Sequence, residues 1–152
     1  MFRGANTINL DAKGRLAIPT KYRQPLLDDC TGQLVCTVDL HHDCLLLYPL
    51  PEWEELELKL SKLSNTHPAE RRVKRLLLGH AAEVDMDKSG RVLVPPVLRT
   101  YAGLDKEIIL MGQLTNFEIW DAALWRSQVQ EDMEIERGRE FEPTERLQDL
   151  IL

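Results

Sequence analysis

A five-residue pattern written twice constrains this chain more than any other feature. Asp11-Ala-Lys-Gly-Arg15 returns as Asp87-Lys-Ser-Gly-Arg91, and the flanks return with it. Aligning Ile8–Arg23 with Val84–Arg99 matches Asp, Gly, Arg, Pro and a final Arg at identical offsets, and most other positions keep apolar character. Further along, Val35-Cys-Thr-Val38 answers Ile108-Ile-Leu-Met111. Likewise Cys44-Leu-Leu-Leu-Tyr48 with Trp53 answers Asn116-Phe-Glu-Ile-Trp120 with Trp125. Each half therefore reads strand, turn, strand, short helix, strand, strand, helix. Two copies are too few for a stacked solenoid, so the halves are expected to pair into one pseudo-symmetric body, each covering the apolar face the other cannot bury alone.

The repeated pattern has the chemistry of a tight connection. Residues 5–10 alternate toward Ile8 and Leu10, Asp11 opens a turn, and Leu16-Ala-Ile18 resumes a strand, which is a hairpin signal. Asp at the first corner favours a type I turn because its carboxylate accepts a backbone N–H two residues on. Gly14 can take the left-handed conformation that closes such a loop. Asp87 and Gly90 stand in the same registers. Arg15 and Arg91 follow the glycine directly, so a five-donor cation is expected at each hairpin tip, held where the backbone is fixed.

Pro19 sets the first turn of a helix carrying Tyr22 and Leu26 on one face, which Pro25 is expected to shorten. Leu34–Val38 and Cys44–Tyr48 read as strands. After Pro49 and Pro51, the spacing of Trp53, Leu56, Leu60 and Leu63 predicts an amphipathic helix, with glutamates in its first turn and lysines near its end. A second helix starts at Pro68 with the stripe Val73, Leu76, Leu77 and His80. Arg71, Arg72, Lys74 and Arg75 fill its other face, which reads as solvated surface before it reads as a nucleic-acid contact. Asp121 is a candidate N-cap for a helix bearing Leu124, Trp125, Val129 and Met133. The expected division is a first repeat over 1–53, linker helices over 54–82, a second repeat over 83–133, and an acidic, partly helical tail over 134–152 that docks on a neighbouring subunit.

At 152 residues the chain can bury about 70% of its unfolded surface without disulfides. Three cysteines, Cys30, Cys36 and Cys44, and no basic segment followed by an apolar run at the start place it in a reducing cytoplasm. Its apolar runs fall far short of the roughly 20 residues a membrane-spanning helix needs. The formal net charge of -6 argues against a polyanionic partner. The distribution argues otherwise: Arg3, Lys13, Arg15, Lys21 and Arg23 crowd the first 23 residues against Asp11 alone, whereas Glu131–Asp149 holds eight acids and three arginines. A basic face in front of an acidic tail is compatible with gripping nucleic acid.

For catalysis the chain offers little, since His41, His42, His67 and His80 belong to no nucleophile motif and no phosphate-binding glycine loop is present. Cys36, His41, His42, Asp43 and Cys44 lack the spacing of a known zinc site, and cysteines in strands usually serve as small apolar residues. No cofactor is expected. The turn arginines carry the functional reading. A hairpin tip can enter the major groove of B-DNA, about 12 Å wide, and a fixed arginine there can bond O6 and N7 of guanine, with Lys13 and Arg3 serving phosphate. The competing account is that Arg15 folds back on Asp11 as a local ion pair.

The doubled Asp-x-x-x-Arg turn, each copy followed by an apolar triplet and proline, resembles the MraZ family of AbrB-like bacterial regulators of the division and cell-wall gene cluster. The resemblance runs from Met1-Phe-Arg-Gly4 through Leu-Gly-His-Ala-Ala-Glu at residues 78–83. It implies an α+β, β-rich fold: a pseudo-twofold swapped-hairpin or double-psi barrel from two internal repeats, with flanking helices, assembled as a ring-shaped homo-oligomer. It also implies a non-enzymatic, nucleoid-associated repressor of its own operon that binds G-rich direct repeats. Carried over by position, the DNA-contacting residues fall on Lys13 and Arg15, matched by Arg91 in the second motif, where Lys88 and Ser89 replace Ala12 and Lys13. Arg3 and Lys21 complete the expected DNA-binding set. A ring would present successive turn arginines to successive repeats, so that weak contacts add through effective concentration. The alternative is a protein-interaction scaffold or antitoxin-like module whose arginines dock an acidic partner.

Overall fold

The computed structural model describes residues 1–138 and 141–150. In chain order these form β1 (Ala5–Asn9), β2 (Arg15–Ala17), α1 (Thr20–Cys30), β3 (Leu34–Val38), β4 (Leu45–Pro49), α2 (Leu50–Ser61), α3 (Pro68–Gly79) and β5 (Ala82–Glu83). There follow β6 (Arg91–Leu93), α4 (Pro96–Ala102), β7 (Glu107–Gly112), β8 (Phe117–Asp121), α5 (Ala122–Gly138) and α6 (Glu145–Leu150). The fold is mixed α+β and rich in strands. Met1–Ala122 is one compact unit holding all the strands, and Ala123–Leu152 is a second. Prolines introduce α1, α2 and α4, where a fixed φ suits a helix start and the missing N–H costs nothing. Pro25 does not shorten α1, which runs on to Cys30 and ends in a left-handed Thr31. Pro25 lies on the exposed side, where water can satisfy the carbonyl its ring leaves unpaired.

The strands exchange between the two repeats. β1 pairs with β7, β5 with β3, β2 with β6, and β4 with β8, each antiparallel, so every one of these ladders joins first repeat to second. Among the described residues only β3–β4 and β7–β8 are pairs within a repeat. The expected hairpin ladder between residues 5–10 and 16–18 is therefore corrected. Its turn closes, with Asp11 N–H donating to Arg15 O (2.9 Å) and Gly14 N–H to Asp11 O (3.0 Å), and then the two arms part to pair across the body. The ladders also correct the alignment of the third strands. Leu10 N–H donates to Lys106 O and the equivalent Met86 N–H donates to Gly32 O, which makes Leu34, not Val35, the first-repeat equivalent of Ile108.

The six-stranded sheet has the order β1-β7-β8-β4-β3-β5, and β2-β6 is a separate two-stranded ribbon. This sheet is open and does not form the closed barrel of the expectation. Its edges are β1 and the two-residue β5, and the ribbon makes its own ladder instead of bridging them. Beneath lies one apolar core drawn from both repeats. Leu16, Ile18, Leu45 and Leu47 meet Val92, Ile108, Leu110, Phe117 and Ile119, all fully buried, and Phe2 stacks on Phe117 at 4.3 Å between ring centroids with Tyr22 edge-on to both. Phe2 is tied in place by exchanging backbone bonds with Leu114.

The helices expected between the repeats are present, but their stripes are only partly covered. Trp53 and Leu60 of α2 and Leu77 of α3 are buried, whereas Val73 and His80 are half-buried and Leu76 is exposed. Buried Thr37 donates to Leu77 O (2.7 Å), which satisfies a hydroxyl in β3 and fastens the end of α3. In the second unit Leu124, Val129 and Met133, three of the apolar residues of the expected helix, are exposed. Of the acidic tail expected over 134–152, Glu145–Leu150 is helical, and residues 139, 140, 151 and 152 lie outside the described residues. No helix among the described residues is long and apolar enough to cross a membrane.

Candidate nucleic-acid interface

The β2–β6 ribbon brings both turn arginines together. Its register pairs Arg15 with Leu93, Leu16 with Val92, and Ala17 with Arg91. Side chains alternate across a strand, and Leu16 and Val92 are wholly buried, so Arg15, Ala17, Arg91 and Leu93 share the outer face. Arg15 and Arg91 are diagonal neighbours in that register, a relation that places β-carbons roughly 7 Å apart. The repeated turns carry Lys13 at one end of the ribbon and Lys88 at the other, and both lysines are exposed.

Each turn is built by its aspartate. Asp11 Oδ1 accepts the backbone N–H groups of Lys13 and Arg15, both at 2.9 Å, and Oδ2 accepts Arg15 Nε at 2.7 Å. Asp87 repeats the arrangement with Ser89 and Arg91, Arg91 Nε lying at 3.0 Å. The Arg15 amide, then the Arg15 side chain and the Lys13 amide, hold the Asp11 carboxyl down to about 2. Asp87 is lowered in the same direction, first by the Arg91 amide. The ion pair is thus real, but it engages each arginine through Nε. Among the described residues no protein acceptor takes the Nη groups of Arg15 or Arg91. The local ion pair and the outward-facing donor are two ends of one guanidinium, so the two accounts of Arg15 do not compete.

The two copies are nearly equal as displayed sites. Arg15 keeps 27% of its side chain exposed and Arg91 keeps 38%, so Ser89 in place of Lys13 does not withdraw the second arginine. Arg3 and Lys21 come together at Tyr22 instead: the Tyr22 hydroxyl donates to Arg3 O, and Lys21 Nζ sits 4.9 Å from the centre of the Tyr22 ring. Both cations are exposed. Linear reading missed the ribbon itself, because nothing in either repeat announces that its second strand pairs with its own copy. It also missed Arg23 and Arg99, visible only as matched final arginines of the aligned segments, which lie against the turns.

Other constellations have ordinary structural roles. Burial pushes the Cys36 thiol up to about 12 and raises Cys44 as well, which keeps both protonated. Asp39 accepts the amides of His41 and His42, shaping the β3–β4 loop. Among the described residues no three His, Cys, Asp or Glu side chains converge as metal ligands.

Comparison with known proteins gives a consistent result. The family model described as "MraZ protein, putative antitoxin-like" matches twice, over residues 1–76 and 77–150. A protein of Pseudoalteromonas atlantica named "Transcriptional regulator MraZ" is 65% identical over 152 residues, covering all of both chains. Proteins of the same name from Klebsiella pneumoniae and Escherichia coli O127:H6 are each 60% identical over the same full length.

Proposed function

The chain belongs to the MraZ family, and from that premise we propose that it is a DNA-binding transcriptional regulator whose β2–β6 ribbon reads guanine in the major groove. One observation carries the reading: two arginines with outward donors stand on one face of a two-stranded ribbon, flanked by a lysine at each end. The major groove of B-DNA admits such a ribbon, and arginine bonding to O6 and N7 is the commonest base-specific contact there. Arg15 and Arg91 take the bases, Lys13 the adjoining phosphates, and Arg3 and Lys21 phosphates further along the duplex. Relatives named as transcriptional regulators support the regulator reading.

The finer reading is a ring of subunits in the cytoplasm, at the nucleoid, repressing the operon that encodes it through G-rich direct repeats. One ribbon offers too few cations to hold DNA at physiological salt, and a ring supplies several at fixed spacing, raising the effective concentration of each further contact. No cofactor and no catalytic step enter this scheme. Footprinting of the DNA upstream of the gene, over a salt series, tests it. Protection of regularly spaced G-rich segments, weakening steeply as salt rises, is the expected result.

The second reading, a partner-binding module, draws on the antitoxin-like wording of the family description. Uniform weak protection of every sequence, with an acidic protein lost from pull-downs by Arg15→Ala, would put that reading first.

A further inference from the structure

We propose that Arg23 and Arg99 are positioning residues that act crosswise: the guanidinium on the short helix of each repeat holds the Asp-to-Arg turn of the other, so that Arg99 places Arg15 and Arg23 places Arg91. The consequence for DNA rests on the function proposed above; the crossed support itself does not.

The geometry is doubled. Gly14 has φ +85°, and a β-carbon built on it would lie 2.5 Å from Arg99 Cζ and 2.7 Å from Nε and Nη1. Gly90 has φ +74°, and a β-carbon there would lie 2.6 Å from Arg23 Cδ and 2.8 Å from Cζ, in contact with Nε. Each guanidinium therefore occupies the space that only glycine leaves open, directly before the arginine of the displayed face. Arg23 Nε donates to Ile18 O (2.8 Å), and the N–H of Ile18 donates to Gly90 O (2.8 Å), so one residue couples the helix of the first repeat to the turn of the second. In the other direction Val94 N–H donates to Gly14 O (3.0 Å). Arg99 Nε is buried there without a hydrogen-bond partner, so its hold on Gly14 comes from packing.

Neither arginine has a carboxylate in ion-pair range among the described residues. A half-buried cation without a carboxylate to neutralise it is an expensive way to fill space, and an aliphatic side chain would fill it without the desolvation cost. Yet both repeats carry arginine here while their neighbours differ: Tyr22 answers Leu98, and Lys21 answers Val97. What a flat guanidinium supplies is a rigid plate against the glycine α-carbon. A turn clamped between that plate and its aspartate cap presents the next side chain in one orientation, so less freedom is lost when the arginine meets a base.

The test has two arms, both on the full chain. The first is amide hydrogen exchange without DNA. Arg99→Ala should speed exchange at Gly14 and Arg15 by about tenfold and leave Gly90 and Arg91 within about twofold, and Arg23→Ala should do the reverse; a tenfold change equals about 1.4 kcal/mol. Acceleration confined to a variant's own repeat, or equal at both turns, overturns the proposal.

The second arm is duplex binding. Arg99→Ala should lower the preference for G-rich repeats over a shuffled duplex by about tenfold, add nothing to Arg15→Ala, and keep its full effect on Arg91→Ala. An equal loss on both duplexes, with a salt slope reduced by about one phosphate contact, would make Arg99 a direct phosphate ligand and overturn the positioning role. If Arg99→Ala does not fold, Arg99→Gln, which retains a smaller flat group, carries both arms with the same pattern at smaller size. Crossed exchange in a protein that binds both duplexes alike would uphold the crossed support and remove the DNA reading, so the two fail separately.

Discussion

At the scale of residues, one carboxylate organises each site. Asp11 accepts two amides and a guanidinium, and its carboxyl is held down to about 2 from an ordinary 3.8. A folded-state value below the unfolded one means the aspartate contributes to stability above the unfolded value, and the contribution is lost as pH falls through the folded one. The affected window runs from about 3.8 down to about 2, so the contribution of Asp11 to turn and stability should be full and independent of pH across the neutral range. Carboxyl carbon NMR should place its midpoint near 2, and Asp11→Asn should erase that titration while loosening Arg15. Gly14→Ala forces φ +85° on a side chain and drives a β-carbon into Arg99. It should lower stability by about 1–2 kcal/mol or more, visible as a lower urea midpoint. Asp, Gly and Arg are legible in the sequence because turn chemistry acts over five residues. The Arg99 plate on Gly14 is not, since the two are brought together only by the fold.

At the scale of elements, the hydrophobic pattern locates the strands but is silent about their partners. Ile8 and Leu10 alternate as a half-buried strand should, and that alternation would serve a hairpin with β2 as well as the observed ladder with β7. Turn chemistry favours the hairpin and the exchange between repeats prevails, because pairing across the body lets each repeat cover the core of the other. Helix stripes are less informative still. Leu124, Val129 and Met133 follow helical spacing and remain exposed, so periodicity alone does not identify core. In the function proposed above the ribbon joins the fold to DNA, with Leu16 and Val92 beneath it and the arginines on its outer face. Leu16→Ala should cost about 2–5 kcal/mol and depress DNA binding only through the unfolded fraction. Arg15→Ala should leave the thermal midpoint almost unchanged and remove specificity. Measuring melting and binding on both variants separates the two faces of one strand.

At the scale of the whole molecule, two copies of one unit make a body neither could make alone. β1 has its partner in the second repeat and β5 has its partner in the first. A chain cut between residues 76 and 77, where the two family matches meet, should yield halves without dispersed NMR spectra, and mixing them should restore the native spectrum. Light scattering should give a multiple of the 17.5 kDa protomer, as a ring requires. The central claim is that the ribbon arginines read guanine, and the most direct measurement uses a duplex of G-rich repeats in which 7-deazaguanine replaces guanine, deleting the N7 acceptor and little else. Binding is followed by fluorescence anisotropy with wild type, Arg15→Ala and Arg91→Ala. The account predicts that the base change weakens wild type by at least about tenfold, or about 1.4 kcal/mol, and that the double substitution of both arginines makes the protein indifferent to it. Equal affinity of wild type for the two duplexes would contradict it.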